Sequence, residues 1–371
     1  MGPVESLHSG KAWAAIFEAT GQPLRLARFP IPNPAAGETI VRIRCATICG
    51  SDLHTIAGRR SGPTPCVLGH EMTGEVAALP ATGGATFKGE PLRVGDRVTW
   101  SMLLTCGTCA HCLRGLHSSC VELRKFGHER LGASAQTLFG GYADYCHLPA
   151  GAAIFRIPKN VTDLAAAPSN CATATVAAAV RHAGILEGAN VVVAGAGALG
   201  LTACAMAAAS GAERVIVIEP DRARRQLAAR FGAHMAIDGR LAGEDVAERV
   251  RQATGHHGAC VALEFSGSPE AVGCALEYLR PGGHLVLAGS VFPAPPVPVS
   301  AERLVRRMLR VSGVYNYSPD DLACALEFLA REKEKFPFEE LAAAVFSLGE
   351  INRALDYAET VKPPRVAIIP S

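Results

Sequence analysis

Residues 189–200 read Ala189-Asn190-Val191-Val192-Val193-Ala194-Gly195-Ala196-Gly197-Ala198-Leu199-Gly200. The first six form a short apolar run of strand length, and an alanine-rich helical segment over 198–210 follows directly. Between them stand three glycines in the pattern Gly-x-Gly-x-x-Gly. Alone that pattern says little, but a strand before it and a helix after it give it a mechanism. The glycines allow a tight turn, and the helix N-terminus beyond offers its N–H groups to a pyrophosphate. A second apolar strand, Val215-Ile216-Val217-Ile218, runs into Glu219, whose carboxylate can accept hydrogen bonds from the adenosine ribose hydroxyls.

Strand and helix keep alternating beyond this unit. Cys260–Phe265 reads as a strand, 269–280 as a helix and Gly283–Gly289 as another strand, which predicts a doubly wound parallel sheet. The proline-rich turn from Pro293 to Pro298 ends the pattern. A basic helix over 301–310, a turn at Tyr315-Asn316-Tyr317, two further helices and a last strand near Val366–Ile369 complete the chain. On the N-terminal side, alanine-rich helix is expected over 163–183. Before about residue 160 the texture is different. Short alternating runs such as Thr39–Arg44, Gly74–Ala78 and Asp96–Trp100, punctuated by glycine and proline, are the chemistry of a small β-domain. Gly83 to Pro91 reads as a hairpin or insertion loop, and 124–159 returns to β character.

Two groups of metal-type residues lie in this β-region. Cys106-x-x-Cys109-x-x-Cys112 with Cys120 offers four thiolates in one short lobe, the donor set of a closed, structural tetrahedral zinc site. His111 and His117 are bystanders, since four thiolates complete the shell. Upstream, Cys49-Gly50-Ser51-Asp52-Leu53-His54 is followed by Gly69-His70-Glu71. Cys49 and His70 can serve one zinc ion, Ser51 and His54 are parts of a proton relay, and Asp52 and Glu71 are carboxylates that can orient a ligand histidine. A second Gly-His-Glu at 127–129 makes His128 a competitor for His70.

Composition narrows the class. The chain has 371 residues, 49% of them hydrophobic, and a formal net charge of +2 with the signs interspersed. Its length suits two domains, and the charge gives no case for nucleic acid. No uninterrupted apolar run is long enough to span a membrane, and the N-terminus lacks a signal-peptide pattern. Thirteen cysteines, clustered as metal ligands, suit a reducing compartment, so a cytoplasmic location is expected.

Taken together, these motifs resemble the zinc-dependent medium-chain dehydrogenases/reductases, the class of liver-type alcohol dehydrogenase, over nearly the whole chain. The resemblance implies a GroES-like, partly closed β-barrel catalytic domain at 1–171, a Rossmann NAD-binding domain at 172–313 and a return to the catalytic domain at 314–371. It selects His70 over His128 by the family's ligand spacing, and places Cys171, in Ser169-Asn170-Cys171-Ala172, as third ligand of a catalytic zinc with one position open. Two zinc ions per chain and NAD are the implied cofactors. Gly195, Gly197, Leu199, Gly200, Glu219 and Arg224 form the implied cofactor set, with Arg222 and Arg225 close enough to neutralise a 2′-phosphate. By the same resemblance a proton passes from the substrate through Ser51 and the cofactor ribose to His54 and water. Asp52 bonds the free nitrogen of His70, and Glu71 lies near the zinc. The segment Trp100–Leu104, including Met102, is expected to line a substrate cleft between the domains. The family assembles as homodimers or homotetramers.

Several phrases, among them Cys49–Thr55 with Gly58-Arg59-Arg60, Asn170–Val176, Leu263–Gly267 and Ala288–Pro293, look closest to the bacterial group of phosphonate-catabolism-associated alcohol dehydrogenases. That resemblance implies an alcohol substrate, with a hydroxyalkylphosphonate as the specific candidate and Arg59 and Arg60 as its anion-binding residues. Gly50 departs from the liver-type pattern, which has a basic residue there near the cofactor pyrophosphate. Polyol, amino-alcohol and formaldehyde-type dehydrogenases share the scaffold. A non-catalytic, zinc-structured nucleotide-binding protein is the alternative outside enzymes, but it has no need of Ser51, His54 and an open metal position together.

Overall fold

The computed structural model describes residues 10–132 and 138–370. It divides into two compact units. The first comprises the chain up to Cys171 together with Ser318–Ala330 and the segment from Glu339 onward, and the second Ala172–Tyr317 with Arg331–Phe338.

The second unit is built on six parallel strands: β1 (Asn190–Ala194), β2 (Arg214–Glu219), β3 (Met235–Asp238), β4 (Ala259–Glu264), β5 (Leu279–Leu287) and β6 (Arg310–Gly313). Their spatial order is β3-β2-β1-β4-β5-β6, the doubly wound order of dinucleotide-binding sheets. Val191, Val192 and Val193 are wholly buried, as a central strand covered on both faces requires. The glycine turn joins β1 to the helix Ala198–Ala209. Gly200 has no alternative there, because a Cβ on it would stand 1.7 Å from the Gly195 carbonyl oxygen.

In the first unit, Thr39–Thr47 lies at the centre of a seven-stranded sheet. It pairs with Glu71–Ala78, Tyr145–Leu148 and Arg365–Ile369. A three-stranded sheet of Arg25–Pro30, Lys11–Phe17 and Cys66–Val67 accompanies it. Trp100, Phe126, Tyr142, Met72 and Leu68 are fully buried in the core of this unit. Ala85 and Pro91 form an antiparallel bridge, which gives the 83–91 segment its hairpin shape.

Three features differ from the reading of the sequence. The alanine-rich segment 163–183 is not one helix. It runs as Asp163–Ala166, a 3-10 turn over Ala167–Asn170, and Ala172–Ala183. Pro168 cannot donate an N–H to a continuous α-helix, and the tighter turn accommodates it. The expected helix over 301–310 stops at Arg306, and Met308 takes a left-handed backbone angle, φ +52°. The chain then enters β6, which pairs with β5 although its sequence, Arg310-Val311-Ser312-Gly313, carries little strand signal. The short strand β3 likewise owes its form to pairing with β2. Among the described residues no helix is long and apolar enough to cross a membrane.

Candidate active site

Cys49 precedes the short helix Gly50–Ile56, and Asp52 holds that junction by accepting the Cys49 N–H at 3.0 Å through Oδ2. The other Asp52 oxygen lies 3.2 Å from His70 Nδ1, and the Tyr142 hydroxyl donates to Oδ2 at 3.0 Å. Asp52 and His70 are almost wholly buried. A carboxylate on Nδ1 fixes the ring so that Nε2 carries the free lone pair, the arrangement of a metal-ligating imidazole. Ser51 Oγ stands 3.2 Å from that Nε2.

Cys171 reaches the same place through the break in the helix. Buried Asn170 pins the 3-10 turn, donating to the Trp100 carbonyl at 2.9 Å and accepting from the Met72 N–H at 3.3 Å. Donor atoms of Cys49, His70, Glu71 and Cys171 then all lie within 4.8 Å of one another. The hydrogen bond from the Cys171 thiol, followed by the charge of Arg365 and the His70 ring, holds the Cys49 thiol well below its ordinary range, against burial. A thiol of lowered pKa beside an imidazole and a second thiol is a donor set that fits zinc.

Glu71 differs from the other three. Arg365 grips it through Nε and Nη2, each 2.6 Å from one oxygen, and Thr47 Oγ1 donates at 2.5 Å. Arg365 Nη2 also lies 3.6 Å from Cys49 Sγ. Burial alone would lower the Arg365 pKa, but the negative charges of Glu71 and Cys49 hold it above its ordinary value. Reading the sequence placed Glu71 near the metal and missed its partner. The available signal was a single arginine opening an otherwise apolar terminal strand, Arg365-Val366-Ala367-Ile368-Ile369.

His128 packs beside His70, ring centroids 5.4 Å apart, and forms a buried group with Asp52 and His70. Burial, His70 and the guanidinium of Arg60 lower its pKa to about 3, so it is neutral. Arg60 Nη1 lies 3.1 Å from His128 Nε2, and the neutral ring accepts from it. Arg59 lies elsewhere: its Nε donates to His54 Nδ1 at 2.9 Å. Trp100 has no exposed surface and packs edge-on to Phe126 inside the core, so it is a core residue of this unit. Met102 is buried too.

The four-cysteine lobe also converges. Cys106, Cys109, Cys112 and Cys120 bring their sulfurs within 4.8 Å, with Cys120 to Cys106 at 3.5 Å. Backbone N–H groups of Cys112 and Val121 draw the Cys109 thiol down to about 6, whereas burial and its sulfur neighbours push Cys112 up to about 12. None of the chain's thirteen cysteines is in a disulfide. Four unlinked thiols at this spacing fit one tetrahedral zinc ion.

In the second unit Glu219 is buried beneath the glycine turn. Its Oε2 accepts the Ala196 N–H at 2.6 Å and its Oε1 that of Asp221 at 2.9 Å. Arg225 is engaged by Asp238 at 3.1 Å and by the carbonyls of Glu219 and Pro220.

A β-unit that carries two groups of metal-type side chains, and a doubly wound sheet with a glycine turn, are the parts of a zinc-binding dehydrogenase. The comparisons with known proteins agree. Residues 35–159 match the alcohol dehydrogenase GroES-like domain and residues 198–331 the zinc-binding dehydrogenase family. The chain is 30% identical over 342 residues to 5-exo-hydroxycamphor dehydrogenase of Pseudomonas putida, covering 90% of this chain and 93% of that one. An alcohol dehydrogenase structure from Thermotoga maritima superposes with a TM-score of 0.92 at 29% identity, covering 98% of this chain and all of that one. A zinc-binding dehydrogenase from Sinorhizobium meliloti bound to NADP superposes with a TM-score of 0.84 at 25% identity, over 98% of this chain and 100% of that one. The chain belongs to the zinc-binding medium-chain alcohol dehydrogenase family and is an oxidoreductase of that kind.

Proposed function

We propose that this chain is an alcohol dehydrogenase that uses NAD and two zinc ions, one catalytic at Cys49, His70 and Cys171 and one structural at Cys106, Cys109, Cys112 and Cys120. The observation that carries the reading is the convergence of Cys49, His70 and Cys171 while Arg365 and Thr47 occupy Glu71. With its carboxylate so engaged, Glu71 leaves a fourth position for substrate. When bound, zinc supplies Lewis acidity toward a hydroxyl, and NAD supplies the hydride acceptor. Ser51 Oγ, beside His70 Nε2, takes the hydroxyl proton and hands it on toward His54. Asp52 keeps the His70 ring oriented throughout. Reduction of NAD in the presence of a panel of alcohols tests the reading; no turnover with any alcohol would contradict it. We further take the chain to act in the cytoplasm as a homodimer or homotetramer.

The relay has a local control. Partial burial and then the Arg59 guanidinium hold the His54 pKa below its ordinary value. The imidazole therefore stays neutral, and competent as a base, to lower pH. Arg59 also occupies the Nδ1 lone pair, so it must release that nitrogen when a proton arrives. In Arg59→Ala the pKa rises, and the acid limb of the pH profile for alcohol oxidation moves to higher pH. In His54→Gln turnover falls near neutral pH and recovers partly at high pH, where solvent base takes over. An acid limb left in place in both variants would remove His54 from the relay.

NAD is the proposed cofactor because buried Glu219 repels a 2′-phosphate, and because Arg225 is already held by Asp238 and two carbonyls. Catalytic efficiency with NAD is expected to exceed that with NADP by about tenfold or more, a difference of roughly 1.4 kcal/mol. Equal or better efficiency with NADP would overturn the assignment.

For the substrate we propose a hydroxyalkylphosphonate, with Arg60 as the anion-binding residue. Support comes from the partly buried Arg60 guanidinium, held on His128 beside His70. Arg59, bonded to His54, has a different task. Arg60→Ala should raise the KM for a hydroxyalkylphosphonate about ten- to a hundredfold, the equivalent of roughly 1.5–3 kcal/mol for a hydrogen bond to a charged group. The KM for an uncharged terpenoid alcohol, the kind of substrate named for the Pseudomonas putida relative, should hardly move. Equal effects on both would make Arg60 a structural residue.

A further inference from the structure

The core of the first unit holds a polar group that packing alone does not require. Tyr142 has no exposed surface and shares one core with Leu68, Met72 and Phe126. A phenylalanine would fill nearly the same space, so the hydroxyl needs a reason of its own. It donates to Asp52 Oδ2 at 3.0 Å, across 90 residues of the chain. An ionised carboxylate only accepts, which makes the phenol the donor.

Tyr142 also meets the approach to His70 through the backbone. Its N–H donates to the Leu68 carbonyl at 3.0 Å, and the Gly141 N–H donates to the Gly69 carbonyl at 2.7 Å. The Tyr142 carbonyl accepts from the Ala15 N–H at 2.8 Å, which anchors it to the strand Lys11–Phe17. Gly69 takes φ +86°, and a Cβ on it would stand 2.7 Å from the Tyr142 ring. The ring thus occupies the space that the glycine before His70 leaves free.

Asp52 links the hydroxyl to the metal-type cluster. Its Oδ2 accepts from two donors, the Tyr142 hydroxyl and the Cys49 N–H, each at 3.0 Å. Two donors on one oxygen fix the plane of the carboxylate and leave Oδ1 facing His70 Nδ1 at 3.2 Å. That contact is long for a charge-assisted hydrogen bond, so it depends on aim more than on charge.

We propose that Tyr142 is a positioning residue for the catalytic zinc site, aiming the Asp52 carboxylate at His70 so that Nε2 is presented to the metal. The inference rests on the catalytic-zinc reading above. Without the hydroxyl, Oδ2 keeps only the Cys49 N–H, and the carboxylate can turn about its Cβ–Cγ bond. His70 Nδ1 then loses its partner for part of the time, and the ring is no longer held in the ligating tautomer. Losing the donor also makes the carboxylate more basic, which acts in the opposite direction. Aim outweighs that gain, because the contact from Oδ1 to Nδ1 is already long.

The test is the zinc affinity of each site in the full chain, measured by competition with pyridine-2,6-dicarboxylate and elemental analysis of the retained metal. A Cys171→Ser chain run alongside marks the zinc that belongs to the four-cysteine lobe. In Tyr142→Phe the dissociation constant of the zinc at Cys49, His70 and Cys171 should rise about tenfold, while the four-cysteine zinc is held as in the parent. The same substitution is then made in an Asp52→Ala chain, where the hydroxyl has nothing left to aim. There it should change zinc affinity by less than about twofold. Parent-like or tighter zinc at the catalytic ligands in Tyr142→Phe, or a tenfold loss that persists in Asp52→Ala, would overturn the role. A Tyr142→Phe chain that loses both zinc ions or does not fold would overturn it too, since the hydroxyl would then serve the core. A parent chain that holds zinc only on the four-cysteine lobe would instead overturn the catalytic-zinc reading, and this inference with it.

Discussion

Cys49→Ser is expected to abolish alcohol-dependent NAD reduction while the chain stays folded. Serine replaces a thiolate that neighbouring Cys171, Arg365 and His70 stabilise, and a neutral hydroxyl is a far poorer zinc ligand. The loss should exceed the roughly 10–100-fold typical of removing a group that only supports a metal ligand. Ser51, Asp52 and the helix Gly50–Ile56 keep their places, because Asp52 still accepts the N–H of residue 49. Cys109→Ser should behave in the opposite way. Its lobe has little regular structure beyond two 3-10 turns, so losing the metal tie should lower thermal stability and soluble yield first. Turnover and zinc content, read beside the melting temperature, separate the two. A Cys49→Ser chain with parental turnover would remove Cys49 from the chemistry.

The second large effect concerns stability. Arg365→Ala leaves the Glu71 carboxylate fully buried with only Thr47 as a donor. Breaking a buried ion pair from one side typically costs about 3–5 kcal/mol, because the remaining charge has no compensation. Removing both charges, as in Glu71→Gln with Arg365→Met, should restore much of that stability, since the desolvation penalty disappears with the pair. The double variant should still be catalytically impaired, because Arg365 also faces the Cys49 thiolate. Chemical unfolding of the parent, both single variants and the double variant gives the coupling energy directly. An Arg365→Ala chain as stable as the parent would mean that Glu71 takes up a proton when left alone and that the pair contributes little.

What the sequence disclosed, and what it withheld, follows from how local each signal is. The glycine turn, the flanking strands and the cysteine spacings are written within a few residues, because a tight turn or a metal-binding loop needs its parts close together. They pointed to both the doubly wound sheet and the zinc family. Ligand candidates far apart in the chain, Cys49, His70 and Cys171, needed the family resemblance to be linked at all. The structure brings them within reach of one another.

Non-local contacts stayed hidden. Arg365 meets Glu71 across 294 residues of the chain, and nothing around either residue announces the other. The break before Cys171 depends on Asn170 reaching two separate strands, at Met72 and Trp100. β6 exists through its pairing with β5, against weak local preference. Arg59 and Arg60 are neighbours with one apparent purpose in the sequence, yet one meets His54 and the other His128. Trp100 looked like a wall of the substrate cleft, and the core claims it.

The proposed catalytic zinc, held by Cys49, His70 and Cys171, is separate from the four-cysteine site. Zinc per chain, measured by elemental analysis on the purified parent and on Cys171→Ser, tests it most directly. Two zinc ions are expected in the parent and one in the variant, with the remaining ion on the four-cysteine lobe. One zinc ion in both would contradict it.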